Sequence, residues 1–367
     1  MSEKIFIAQG ELTAVLERLS KEMNVWVPVE MGDEKWGIRF LPYHRDTVVV
    51  LDRQSTLGPK NVLFPQVETL LSFRYQKDDN DPSKQHIDLK DRQDISPALV
   101  FGARPCDVRG FLTFDQVFLN GRYKDPYYEQ RREKTLFATL LCDTEDSACF
   151  CSSVGSGPGD REGSDLSIIP VDDGFVVEAL NEKGRMLIPV MGKQATPEQI
   201  EQARRIQEQV SAKHVGEDDL TRSARDFTGR FEDMDYWRDM VSKCISCGIC
   251  TFVCPTCYCF NITDESRDLT GERLRSWDSC MFYHYTLEAS GHNPRPEKFE
   301  RYRNRIGHKF SYFPDTHNGM ISCCGCGDTH NGMISCCGCG RCIRSCPVSI
   351  DIRRVVHHLK EAVDAEV

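Results

Sequence analysis

The sequence predicts an α+β protein: a mixed α/β domain over residues 1–230, then a module over 231–367 organised by cysteines. Three observations carry this prediction. Short apolar runs alternate with turn-rich polar segments through the first two thirds, as in mixed sheets. An amphipathic helix near the start places Leu12, Val15, Leu16, Leu19 and Met23 on one face. Fifteen of the nineteen cysteines fall between Cys244 and Cys346, with few strand-like runs among them. A chain of 367 residues exceeds the usual domain of roughly 100 to 200, which also favours more than one domain.

The predicted strands are VWVPV (25–29), TVVVL (47–51), ALVFGA (98–103), LFATLL (136–141), LSIIPV (166–171) and FVVEAL (175–180). The stretch 197–235 opens at Pro197 and is rich in Glu, Gln, Arg and Asp, so it reads as a solvated helix and a charged linker. Beyond it so little apolar core is visible that the metal ligands themselves are expected to organise much of the fold.

Charged residues make up 28% and net charge is -10, so the chain is a globular polyanion that nucleic acid and anionic membrane would repel. Proteins are the expected partners. No stretch approaches the roughly 20 apolar residues of a membrane span, and the opening MSEKIFIAQGELTAV lacks the apolar run of a signal peptide. The expectation is a cytoplasmic protein, where nineteen cysteines are better explained by metal ligation than by disulfides.

Cys244, Cys247, Cys250 and Cys254, followed by Pro255, spell C-x2-C-x2-C-x3-C-P, and Cys336, Cys339, Cys342 and Cys346, followed by Pro347, spell it again. The short gaps let three thiolates of one loop cap three irons of a cubane while the fourth points away. In two-cluster ferredoxins that fourth cysteine serves the other cluster. The expected sets are therefore Cys244, Cys247, Cys250 and Cys346 for one 4Fe-4S cluster, and Cys336, Cys339, Cys342 and Cys254 for a second, in a dicluster ferredoxin-like module. Zinc is the plainer alternative, but it needs only paired C-x2-C and leaves the third cysteine and the Cys-Pro ending unexplained. Cys250, Cys254 and Cys257 also read C-x3-C-x2-C, the pattern of radical S-adenosylmethionine enzymes. Those enzymes build a large barrel downstream of the motif, and too few residues follow it here.

The first two thirds hold four cysteines, Cys106, Cys142, Cys149 and Cys151, the number a cubane needs. They are expected to bind a third 4Fe-4S cluster, with buried unligated thiols as the alternative. Cys257, Cys259 and Cys280 admit two readings, ligands of a further cluster or buried thiols around the known ones. The segment DTHNGMISCCGCG occurs twice, at 315–327 and 328–340, and only the second copy completes a cluster motif. In the first, Cys323, Cys324 and Cys326 lack a further cysteine at the required spacing. The basic stretch RPEKFERYRNRIGHK (295–309) places Phe299, Tyr302 and Ile306 on one helical face and reads as a solvated helix or a docking surface. No nucleotide-binding fingerprint is present, since GSGPG at 155–159 has neither the spacing nor the strand–helix context.

Taken in order, GARPCD, DPYYEQRR, ACFCSS, CISCGICTFVCPTCYCF, RSWDSC, GHNPR, RNRIGHKF and CGCGRCIRSCP resemble the iron-sulfur subunit family shared by cytosolic sulfhydrogenases, where it is the beta subunit, and anaerobic sulfite reductases. The resemblance spans nearly the whole chain from about residue 25. It implies a non-catalytic electron-transfer protein working anaerobically between two partners. One is a flavoprotein binding FAD and NAD(P)H. The other is the catalytic component of a hydrogenase, sulfite reductase or heterodisulfide reductase-like complex. The duplicated segment and Cys337, where the family more often has an apolar residue, depart from the pattern.

Overall fold

The computed structural model describes residues 4–32, 37–78, 80–81, 83–91, 95–120, 123–144, 146–213, 219–220, 227–312 and 334–364. The first repeat copy, with Cys323, Cys324 and Cys326, lies outside them.

An eight-stranded mixed sheet forms the larger layer. Its strands are β1 (Lys4–Ala8), β2 (Asn24–Glu30), β3 (Ile38–Pro42), β6 (Ala98–Ala103), β7 (Thr135–Leu140), β8 (Leu166–Val171), β9 (Gly174–Ala179) and β10 (Lys193–Gln194), in the order β10-β1-β9-β8-β7-β6-β2-β3. The middle four, β2-β6-β7-β8, run parallel, and the flanks are antiparallel. Strand β6 shows how the sequence builds this layer. Its side chains alternate between faces, so Leu99 and Phe101 enter one core while Ala98 and Val100 enter the other, and a register shift between Phe101 and Ala103 carries Ala103 to that second core as well. Helices α1 (Leu12–Leu19) and α5 (Glu182–Met191) close the first core, through Leu12, Val15, Leu16 and Leu19 on one and Leu187, Ile188 and Met191 on the other. Helices α3 (Pro105–Phe118) and α4 (Pro126–Lys134) close the second through Phe111, Phe114, Phe118 and Tyr128. Predicted strand 47–51 forms only an isolated bridge from Val49 to Val29, because the edge of the sheet there is already taken by β3.

A second, four-stranded antiparallel sheet has the order β11-β12-β4-β5, from β4 (Val67–Lys77), β5 (Gln85–Asp91), β11 (Phe260–Arg267) and β12 (Thr270–Trp277). Strand β12 pairs with β4, so this sheet is built across the sequence boundary at residue 230. The side chain of Arg275 on β12, 3% exposed, anchors the join with ion pairs to Glu68 and Asp125 and a guanidinium stacked over Phe64. The polar hairpin β11–β12, exposed along β11 and half-buried along β12, was not expected from the sequence, since it lacks the apolar alternation that marks half-buried strands.

The helix α6 (Pro197–Lys213) begins at Pro197 as predicted and packs Ala203 against Ile169 and Val176. The cysteine-rich module holds more apolar core than its sequence suggested. Helices α7 (Met234–Met240), α9 (Lys298–Gly307) and α11 (Ile352–Asp364) converge through Trp237, Phe299, Tyr302, Ile306, Val355 and Leu359. This core was hidden in the sequence because each helix contributes only a few apolar residues.

Candidate metal centre

Two loops of matched backbone geometry present the cysteines. In the first, Ser246 and Gly248 have φ of 55° and 75°; in the second, Gly338 and Gly340 have 64° and 72° at the same offsets from the cysteines. Each loop then enters a single helical turn, α8 (Ile249–Phe252) or α10 (Arg341–Arg344). The left-handed residues curl the backbone around the thiols, and the Ser246 amide donates to Cys244 Sγ at 3.4 Å. Ile350 N donates to Cys346 Sγ at 3.3 Å. Repetition of this geometry explains why the same spacing recurs twice in the sequence.

Cys244, Cys247 and Cys250 of the first loop and Cys342 and Cys346 of the second motif line one cavity, with Met281, Tyr302 and Arg305 in its walls. Cys247 is exposed at its mouth. Cys254, the last cysteine of the first motif, is buried, as are Cys336 and Cys339, and Cys336 lies within electrostatic reach of both. The Cys342 thiol lies within electrostatic reach of Cys339, Cys254 and Cys336. Burial pushes the Cys336 thiol up to about 11 and raises Cys342, so these groups carry protons when free and release them to a metal. Among the described residues no three Cys, His, Asp or Glu side chains are gathered closely enough for one metal ion.

The four N-terminal cysteines come together at the carboxyl ends of neighbouring parallel strands, where open α/β sheets place their ligands. Cys106 opens α3 just after β6, and Cys142 follows β7 by two residues. Cys149 and Cys151 follow in the loop before β8. Cys142 lies near both Cys106 and Cys149, and Cys151 near Cys142 and Cys149. Burial pushes Cys142 up to about 11 and Cys151 up to about 12. The group packs directly on the second cysteine loop. Phe150 N donates to Gly338 O at 2.8 Å, and a Cβ at Gly338 would lie 2.5 Å from Cys151 Cα. Buried Arg341 pairs with Asp107 at 2.7 Å, fixing the same contact one turn further on.

Cys257, Cys259 and Cys280 gather beside Cys254. The Cys257 thiol hydrogen-bonds Cys254, Cys259 hydrogen-bonds Cys280, and Cys257 lies within electrostatic reach of Cys280. Departing Cys337 is buried and hydrogen-bonds Cys339.

Helix α9 corrects the sequence expectation for 295–309. Arg301, Arg305 and Lys309 are buried, so this stretch is neither a solvated helix nor an exposed docking face. Arg305 donates to Cys250 O at 2.9 Å and to Cys257 Sγ at 3.3 Å. Lys309 Nζ donates to Thr256 Oγ1 at 2.7 Å. Lys60, also buried, donates to the carbonyls of Phe252 and Cys257, each at 3.2 Å. None of Lys60, Arg305 and Lys309 ion-pairs with a carboxylate among the described residues. Lys60 lies 3.8 Å over the Trp277 ring; burying Arg305 and Lys309 is costly unless an anion faces them, and the Cys254 and Cys257 thiols lie within electrostatic reach of both. The residues therefore fit iron-sulfur clusters. Sequence reasoning missed these cations; the signal for the last two was their four-residue spacing beside the apolar stripe of α9.

The two cysteine loops, their shared cavity and the buried cations define an iron-sulfur electron-transfer subunit. The 4Fe-4S dicluster domain family matches residues 243–331, which contain the first motif, the second following just beyond. Sulfhydrogenase 2 subunit beta of Pyrococcus furiosus is 29% identical over 269 residues, 72% of this chain and 75% of that protein. No solved structure matches the chain. The chain is thus similar to an iron-sulfur subunit of a sulfhydrogenase and carries a 4Fe-4S dicluster domain match.

Proposed function

We propose that the chain is a cytoplasmic electron conduit within an anaerobic multisubunit oxidoreductase. Electrons pass between a flavoprotein exchanging them with NAD(P)H and a catalytic partner. A hydrogenase is the nearest choice for the latter, given the name of the relative above. One 4Fe-4S cluster is held by Cys244, Cys247, Cys250 and Cys346, and a second by Cys254, Cys336, Cys339 and Cys342, in the crossed ferredoxin-like arrangement. A third is held by Cys106, Cys142, Cys149 and Cys151. The chain divides into residues 1–230 and 231–367, with the second sheet joining the two parts.

One observation carries this reading: a single cavity lined by Cys244, Cys247 and Cys250 of the first motif together with Cys342 and Cys346 of the second. When bound, a cluster supplies one-electron chemistry; the chain orients the thiolates, shields them from water and neutralises their charge. The placement of the N-terminal thiols against the second loop supports a continuous path from the exposed Cys247 toward Cys142. Against a radical enzyme stands the large sheet, which is open and precedes the C-x3-C-x2-C motif in the chain. Among the described residues no helix is long and apolar enough to cross a membrane.

The crossing is tested by anaerobic reconstitution of single Cys→Ser variants, read by electron paramagnetic resonance. Cys346→Ser and Cys250→Ser are expected to lose the same signal, and Cys254→Ser and Cys342→Ser the other. If Cys346→Ser instead matches Cys342→Ser, the crossed assignment is wrong. Tightly bound FAD in the isolated chain, or turnover of sulfite or protons without partners, would contradict the conduit reading.

A further inference from the structure

We infer that Lys309, acting through the Thr256 hydroxyl, raises the reduction potential of the cluster held by Cys254, Cys336, Cys339 and Cys342. The inference rests on the two-cluster reading and deepens it. An ammonium has only hydrogens to give, so in the 2.7 Å contact Thr256 Oγ1 is the acceptor. Its own hydrogen is then free for Cys254 Sγ, 3.2 Å away. A donated hydrogen bond and a nearby cation both stabilise the more negative, reduced cluster.

Lys309 Nζ also lies 3.4 Å from the carbonyl oxygen of Ser335, the residue preceding Cys336. It therefore touches both segments that supply this ligand set. Lys309 is 3% exposed and Thr256 2%, so water screens the interaction little. The contrast with the cavity of Cys244 and Cys346 is one of access and of the sulfur's own donors. Arg305 lines that cavity and donates to the Cys250 carbonyl, but the sulfur hydrogen bonds there come from the neutral amides of Ser246 and Ile350, and Cys247 opens to solvent. A one-electron reduction adds a full negative charge to the cluster without changing its ligands, so the lysine acts on the driving force and not on any bond made or broken. Lys309 is a positioning residue in this sense, since Thr256 is the group that reaches the sulfur.

The test is a mediated redox titration of the full, anaerobically reconstituted chain, with dithionite as reductant and the cluster signals read by electron paramagnetic resonance. The signal that disappears in Cys342→Ser marks the second cluster. Lys309→Met and Thr256→Val are each expected to move that midpoint to lower potential and leave the other signals in place, and Lys309→Arg to keep it near the wild-type value. A merely structural role would not move a midpoint while preserving iron content. Should Lys309→Met fail to hold its clusters, Thr256→Val, which keeps the charge and the volume, decides the question. Unchanged midpoints with clusters intact, or equal shifts in Lys309→Met and Lys309→Arg, overturn the inference alone. A wild-type chain that binds no iron overturns the cluster reading beneath it.

Discussion

Replacing Arg341 by Met removes a buried ion pair that joins the second cysteine loop to the sheet domain. The guanidinium is 1% exposed and its partner carboxylate 0%, with Nη1 at 2.7 Å and Nη2 at 3.2 Å from the two Asp107 oxygens. It also donates to Ser55 O at 2.8 Å and Ser55 Oγ at 3.0 Å. Two unit charges about 4 Å apart attract by about 4 kcal/mol at an effective dielectric constant of about 20. Removing one partner of such a pair costs about 3–5 kcal/mol, because the other stays buried without compensation. Asp107 keeps one contact, the amide of Arg104 at 3.1 Å, which places the expected loss near the lower figure. If the pair breaks before the unfolding barrier, about 3 kcal/mol corresponds to a rise of roughly a hundredfold in unfolding rate. The assay is the rate at which cluster absorbance bleaches in anaerobic urea, since proteins of this kind unfold irreversibly and a rate is the meaningful measure. The double variant Arg341→Met with Asp107→Asn should unfold more slowly than the product of the two single effects predicts. A single variant that bleaches at the wild-type rate, or a cycle that is purely multiplicative, would refute the reasoning.

Gly338→Ala should loosen the contact between the two halves. Its φ of 64° and the 2.5 Å approach to the Cys151 backbone leave no room for a methyl, and faster iron loss than from Ser246→Ala is the expected result. Cys149→Ala should lower the iron content of the reconstituted chain by about four per molecule while both ferredoxin signals persist; full iron retention would remove the third cluster. Deleting one thirteen-residue copy, residues 315–327, should preserve both ferredoxin signals, because either copy joined to Arg341 and Cys342 restores the same motif. Loss of a signal would show that the first copy supplies ligands.

The cysteine chemistry was legible in the sequence because its information is local. Spacings of two and three residues within one loop dictate which thiols can converge, and the left-handed backbone at Ser246, Gly248, Gly338 and Gly340 is a property of those loops alone. The buried strands ALVFGA and LSIIPV and the amphipathic helix at Leu12 announced themselves for the same reason, since periodic apolar residues act within one element. Three features depended on contacts between residues far apart in the chain. The hairpin β11–β12 is polar, and finds its place only by pairing β12 with β4 some 200 residues earlier. The meeting of Cys106 and Cys142 follows from β6 and β7 being adjacent parallel strands, a matter of sheet order. The basic stretch 295–309 reads as surface because charged residues usually seek water; tertiary packing turned Arg305 and Lys309 inward. The physical reason is that a buried cation is tolerable only opposite an anion, and the thiols that could supply it are brought to α9 from the 250–257 segment only when the chain has folded.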